Sequence, residues 1–217
     1  MNKYQLLKNH IQLLIKKPNT TNILFVRHGQ TNQNLSNTIC GWTDSRLTIR
    51  GREQANQLLQ ALLPFRDQFK GIYSSDLRRA KETAQISLGF PHDTLIIEDP
   101  RLRELNFGKH ENIAYSMLDQ EIKDIIFTFQ YQAPGGETWQ QTQERAMKLI
   151  REKCTENGTY LMYSHGGQIC SITYNLGLQN SIGNCSCVGL EYDQQKKEMK
   201  QLLFKWDFPE EENEQEI

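Results

Sequence analysis

The sequence predicts an α/β fold, a three-layer α/β/α sandwich around a mostly parallel central sheet. The first observation behind this is alternation: short apolar, β-prone runs take turns with segments of helical periodicity, and that order places helices over both faces of a parallel sheet. The second is that no linker composition or internal repeat divides the chain. A third bears on function. Three of the runs end in histidine, serine or arginine, and in an open parallel sheet the carboxyl ends share one edge, where ligands bind.

Taken in order, residues 1–20 form an extension read as a helix packed on the domain, because Tyr4, Leu7, Ile11 and Leu14 fall at helical spacing. Ile23-Leu24-Phe25-Val26 reads as a buried strand that stops abruptly at Arg27-His28-Gly29. Residues 30–46 are polar and turn-rich. Thr48 is an N-cap candidate for a helix to Leu63 with a buried stripe of Ala55, Leu58, Leu59 and Leu62, closed by Pro64. Gly71-Ile72-Tyr73 is a second strand ending in Ser74-Ser75, with Ser75 the expected N-cap of a helix over 76–88. Leu95-Ile96-Ile97 is a third strand. Residues 105–133 are irregular with helical pieces, and Pro134-Gly135-Gly136 breaks the chain. Thr138 with Gln141 has the capping-box spacing for a helix to about Cys154. Residues 159–163 are a fourth strand ending in Ser164-His165-Gly166-Gly167, followed by a helix to about Leu176. Residues 188–192 and 200–204 are two strands around the turn Asp193-Gln194. One domain therefore spans 21–206, and 207–217 reads as a solvated acidic tail.

The 217 residues carry a net charge of −1, which argues against a general nucleic-acid binder; affinity for an anion has to come from local charge. No apolar run is long enough to span a bilayer, and the first residues lack the uninterrupted apolar core of a secretory signal. The five cysteines, Cys40, Cys154, Cys170, Cys185 and Cys187, are odd in number and irregular in spacing, and Cys185 and Cys187 read as two strand residues. A reducing cytoplasm is the expected compartment.

Chemistry gathers at the strand ends. Arg27-His28-Gly29, Ser74-Ser75 with Arg78-Arg79, and Ser164-His165-Gly166 come from distant sequence to one sheet edge. The glycines after each histidine let a ligand approach the backbone, and the helix after His165 offers free N–H groups to an anion. Two histidines and a carboxylate could also hold a metal ion. The neighbouring arginines would repel such a cation, whereas guanidinium groups grip a tetrahedral phosphoryl group in bidentate fashion. A histidine inside an arginine cage is then a nucleophile candidate. Glu104, shortly after the third strand, is the candidate proton donor for the leaving oxygen.

The ordered set is specific. Arg27-His28-Gly29-Gln30-Thr31 with Asn34, Gly41-Trp42-x-Asp44, Leu47-Thr48-x-x-Gly51 and Ser74-Ser75-Asp76-Leu77-Arg78-Arg79-Ala80 open it. Leu102-Arg103-Glu104 with Phe107-Gly108, Pro134-Gly135-Gly136-Glu137-Thr138, Ser164-His165-Gly166-Gly167 and Asn184-Cys185-Ser186 complete it. From Ile23 to about Phe204 this resembles the histidine phosphatase superfamily, which includes the cofactor-dependent phosphoglycerate mutases. The resemblance implies a phosphoglycerate mutase-like fold, with His28 as the phosphorylated nucleophile and Glu104 as proton donor and acceptor. Arg27, Arg79 and His165 would hold the phosphoryl group, Asn34 would assist, and Gly41 and Gly166 would join the substrate site. The family arginine precedes the alanine, so it matches Arg79, and Arg78 is left solvated or at the rim. Gln30 stands where many members have Glu. Arg46 stands where proline is frequent, which reshapes the rim loop or adds a cation to it.

True mutases of this family carry a long insertion after the catalytic glutamate. Here only a short segment separates Gly108 from Pro134, and a short cover favours hydrolysis; the segment from Leu77 to Thr83 and the run Pro134-Gly135-Gly136-Glu137-Thr138 also resemble the fructose-bisphosphatase-like members. The expected function is hydrolysis of a phosphomonoester, a sugar phosphate or phosphoglycerate-type metabolite, through a phosphohistidine, with no metal and no cofactor. The rivals are a phosphoglycerate mutase and a phospho-ligand or protein-binding module without turnover. The expected partner is a small phosphorylated metabolite rather than nucleic acid or membrane, and the expected assembly is a monomer or homodimer.

Overall fold

The computed structural model describes residues 2–89, 95–178 and 182–209; residues 210–217, most of the expected acidic tail, lie outside that set. Helix α1 (Lys3–Lys16) begins where the Asn2 side chain accepts the Tyr4 N–H, and it buries Leu7, Ile11 and Leu14. Strand β1 (Thr21–Arg27) and the short helix α2 (Asn32–Leu35) follow, the latter held by a Thr31–Asn34 capping box. Thr48 caps α3 (Ile49–Leu62) by accepting the Gly51 N–H. The α-helix stops at Leu62, just ahead of Pro64 as the sequence predicts, and Pro64 sits in the first turn of a following 3₁₀ segment, Leu63–Gln68, where a missing N–H costs no hydrogen bond.

Strand β2 (Gly71–Ser74) leads to α4 (Arg78–Leu88) and β3 (Ile96–Glu98). Here the expectation fails in one detail: α4 starts at Arg78 rather than Asp76, its N-cap is Leu77, and Ser75 does not cap it. The irregular stretch holds 3₁₀ turns and the helix α5 (Gln120–Ile125). Thr138 and Gln141 make the capping box of α6 (Trp139–Lys153). Strand β4 (Gly158–Ser164), helix α7 (Gly166–Thr173), β5 (Cys187–Asp193) and β6 (Glu198–Trp206) complete the chain. All five cysteines are free thiols, and Cys185 precedes β5 with φ 57° instead of standing on it beside Cys187.

The sheet runs β3-β2-β4-β1-β5-β6. The first four strands are parallel and the last two antiparallel. Alternation of side chains splits the core. Leu24 and Val26 of β1 and Leu161 and Tyr163 of β4 pack with Leu58 and Leu62 of α3, Ala84 of α4 and the buried side of α1. Ile23, Phe25, Tyr160 and Met162 face the opposite way, onto Leu149 and Ile150 of α6 and Ile169 of α7. The extension is thus part of one face of the core, and the indole N–H of Trp206 at the end of β6 donates to the Lys3 carbonyl at 3.0 Å. A third cluster, with Leu105, Phe107, Leu118, Ile126 and Trp139, sits beyond the sheet.

This topology positions the site. Arg27 pairs with Ser164 at the ends of β1 and β4, and Ser74 pairs with Tyr163, so three strands stop at the same level. Helix α3, which follows β1 after the turn-rich stretch, lies on one face and α7, after β4, on the other. Adjacent strands whose connections leave to opposite faces open a crevice between them.

Candidate active site

His28 enters this crevice with its backbone held on two sides. Its N–H donates to the Ser164 carbonyl at 3.1 Å, and its carbonyl accepts from Asn184 Nδ2 at 3.0 Å and from the Cys185 N–H at 3.2 Å. Its Nδ1 lies 2.8 Å from the Gly29 carbonyl. A carbonyl only accepts, so Nδ1 carries the proton and Nε2 presents a lone pair. Burial pushes the His28 pKa well below the ordinary histidine value, and the charges of Arg79 and Arg27 push it further. The ring is therefore neutral, with a bare nitrogen.

His165, at the end of β4, has its ring centroid 5.1 Å from that of His28. Arg79 Nε donates to its Nδ1 at 3.2 Å, so Nε2 carries the proton, which it gives to Ser75 Oγ at 2.9 Å. Burial, followed by Arg79 and His28, holds this ring neutral too. Ser75, expected to cap α4, is thus spent on orienting His165. Arg79 is 1% exposed. Its terminal nitrogens donate to the Gly41 carbonyl at 2.6 Å and to the Thr43 carbonyl at 3.0 Å. Arg27 donates one terminal nitrogen to the Ile182 carbonyl, and its buried Nε has no hydrogen-bond partner among the described residues. A buried donor left without a partner is costly, and an anion at this point would satisfy it.

Glu104 faces the same space. Its Oε1 accepts from the N–H groups of Leu105 and Gln168, each at 2.9 Å, and its Oε2 accepts from that of Gly167 at 3.0 Å. The carboxylate rests on the first turn of α7, where the helix dipole favours negative charge. This corrects one expectation: those N–H groups of α7 hold Glu104 rather than standing free for a ligand anion.

Two of the glycines, Gly29 and Gly167, also act differently from the expectation. A Cβ on Gly29 would lie 2.4 Å from the Gly51 carbonyl, and one on Gly167 would lie 2.6 Å from Glu104 Oε1. Each makes room for the protein's own groups, α3 in one case and the Glu104 carboxylate in the other. Arg27, His28, Asn34, Gly41, Arg79, Glu104 and Gly166 all line one cleft of about 620 Å³. His165 alone of the expected residues does not line it; it is fully buried and bonded to Arg79. Arg78 and Arg46 are exposed outside the lining, Arg78 standing 3.8 Å from Glu82 on its own helix. Among the described residues no group of three or more His, Cys, Asp or Glu side chains is arranged to hold a metal ion.

The sequence profile of the histidine phosphatase superfamily (branch 1) matches residues 23–204. This chain belongs to the histidine phosphatase superfamily. A relative from Enterobacter sp. strain 638, named a probable phosphoglycerate mutase, is 31% identical over 79% of this chain and 85% of its own length. A crystal structure of a Thermus thermophilus protein superposes with a TM-score of 0.70 at 30% identity, covering 86% of this chain and 99% of the other. A mycobacterial glucosyl-3-phosphoglycerate phosphatase, solved in complex with VO3, superposes with a TM-score of 0.73 at 25% identity, covering 87% and 99%. Members of this superfamily are phosphoryl-transfer enzymes.

Two residues of this member of the histidine phosphatase superfamily were not among the candidate site residues. Asn184 lines the cleft and donates from Nδ2 to Asn34 Oδ1 at 3.1 Å as well as to His28. Thr31 N–H also donates to Asn34 Oδ1, so the Asn34 amide nitrogen is the group that can turn to a ligand. Glu111 is the second. Its carboxylate accepts from the N–H groups of Trp42 at 2.8 Å and Thr43 at 2.9 Å, from the Thr43 hydroxyl at 2.6 Å and from the Phe107 N–H at 3.2 Å. It therefore fixes the loop whose carbonyls anchor Arg79.

Glu111→Ala should raise KM for a phosphomonoester about 10- to 100-fold, the range expected when hydrogen bonds to a charged group worth roughly 1.5–3 kcal/mol are lost. Glu111→Gln, which still accepts, should recover part of that. A wild-type KM in Glu111→Ala would remove Glu111 from the site's support.

Proposed function

We propose that this protein is a phosphatase that hydrolyses a small phosphomonoester through a phosphohistidine on His28. The observation that carries this reading is the bare Nε2 of His28, held neutral beside the guanidinium groups of Arg27 and the buried Arg79. In the first step Nε2 attacks phosphorus, the ester P–O bond breaks, and Glu104 gives its proton to the leaving alcohol oxygen. In the second, Glu104 takes a proton from water, the water oxygen attacks phosphorus, and the P–N bond breaks to release phosphate and free His28. The arginines, with the Asn34 amide, stabilise charge on the equatorial oxygens, and His165 keeps Arg79 in place.

Two further facts support hydrolysis. The segment over the site between Gly108 and Pro134 is short, which eases the entry of water. One structural relative at 25% identity is a phosphatase. A second reading, a phosphoglycerate mutase, is favoured by the name of the Enterobacter relative.

The two part on products. With 3-phosphoglycerate, released phosphate should exceed isomerised product; dominant isomerisation would assign the protein to the mutases. The cage is built of arginine and histidine, so turnover should survive a chelator, and vanadate, which mimics the five-coordinate phosphoryl group, should inhibit. Loss of activity on chelation, restored by zinc or magnesium, would overturn the proposal.

A further inference from the structure

We infer that the substrate of this site carries a single charged group, its phosphate, on an uncharged body with an aromatic or other apolar face. This rests on the reading that His28 receives the phosphoryl group, and it identifies what fills the remainder of the cleft.

Charge in the cleft is concentrated at the phosphoryl end. Among the described residues that line it, the only cations are Arg27 and Arg79 and the only acid is Glu104. The apolar part of the wall is formed by Ile39, Phe107, Phe127, Trp139, Cys170 and Ile182. The remaining polar side chains of the lining, such as Gln33, Asn37 and Asn184, are neutral amides. Two arginines outside the lining are already paired. Arg103 and Arg145 lie 4.8 and 6.0 Å from the Trp42 ring centre, and they bond the Asp76 and Glu137 carboxylates. A second anion on the substrate would lose water and meet no cation, a cost the phosphate alone avoids.

The wall also offers an apolar surface to a ligand. Phe127 is 57% exposed although it is a large apolar side chain, and it stacks on Tyr115 with centroids 5.9 Å apart and planes 17° apart. Trp139 donates its indole N–H to the Ile126 carbonyl at 3.1 Å, so its polar atom is satisfied within the protein. An exposed aromatic ring at the mouth of an otherwise apolar wall is a place for a ligand to bury surface.

The test compares three primary alkyl phosphates whose leaving alcohols are chemically alike: 2-phenylethyl phosphate, glycerol 3-phosphate and 3-phosphoglycerate. Phosphate release from wild type should give kcat/KM for phenylethyl phosphate at least about 10-fold above that for phosphoglycerate. Phe127→Ala should cut that ratio about 10-fold, and Phe127→Lys should cut it further by supplying a cation. Equal or preferred hydrolysis of phosphoglycerate would overturn the inference and leave the phosphatase reading standing. A preference unmoved by either Phe127 variant would also overturn it. No release from any of the three, with no phosphoenzyme formed, would bring down the phosphatase reading itself.

Discussion

His28→Ala should lower phosphate release by about 10⁴-fold or more, the scale of losing a nucleophile that acts within a preorganised site. The expectation follows from geometry. The proton on Nδ1 is tied to the Gly29 carbonyl, so only Nε2 can attack, and the strand end and Asn184 fix where it points. Alanine removes the bond-forming atom but leaves both arginines, so substrate should still bind. Wild type quenched in acid-sparing conditions during turnover should carry an acid-labile phosphate on His28. The depressed pKa adds a signature. A group whose folded pKa lies below the ordinary value stays neutral as pH falls through about 6.5, so His28 should cause no loss of kcat/KM there. Near-wild-type turnover in His28→Ala, or no phosphate on His28 in wild type, would end the covalent mechanism.

Glu104→Gln should cost about 10²–10⁴-fold on alkyl phosphates, the usual worth of general acid–base help. Glutamine can still accept some of the N–H bonds that now hold the carboxylate, so the fold should survive and the melting temperature should move little. It can neither give a proton to the leaving oxygen nor take one from water. An activated aryl phosphate needs little protonation on departure, so its first step should suffer far less. The water step remains impaired, and the phosphoenzyme should then accumulate and appear as a burst of aryl alcohol. Equal losses on both substrate types without a burst would reduce Glu104 to a cap on α7.

Much of the candidate site was legible because its groups sit at strand ends. Apolar runs mark β1, β2 and β4, and a parallel sheet brings their carboxyl ends together whatever the intervening loops do. Arg79 could be separated from Arg78 by its place before Ala80, and the structure has Arg79 buried in the cleft and Arg78 outside it. The misread details are local ones with two physical solutions. Ser75 could cap α4 or bond His165, and the buried imidazole, which has no other acceptor for its Nε2 proton, takes it.

The sequence by itself determined the layered α/β fold, the starts of α3 and α6, and the convergence of His28, His165 and the arginines. These depend on periodicity, capping spacing and strand ends, all properties of short windows. Only the tertiary structure decided that Glu104 rests on α7, that Gly29 makes room for α3, and that Glu111 holds the loop anchoring Arg79. Glu111 and Thr43 stand 68 residues apart, and Glu104 and Gln168 stand 64 apart. No local pattern encodes such pairs. Each forms because a partly buried carboxylate must find N–H donors, and which donors lie within reach is set only after the sheet, the helices and the cover have packed.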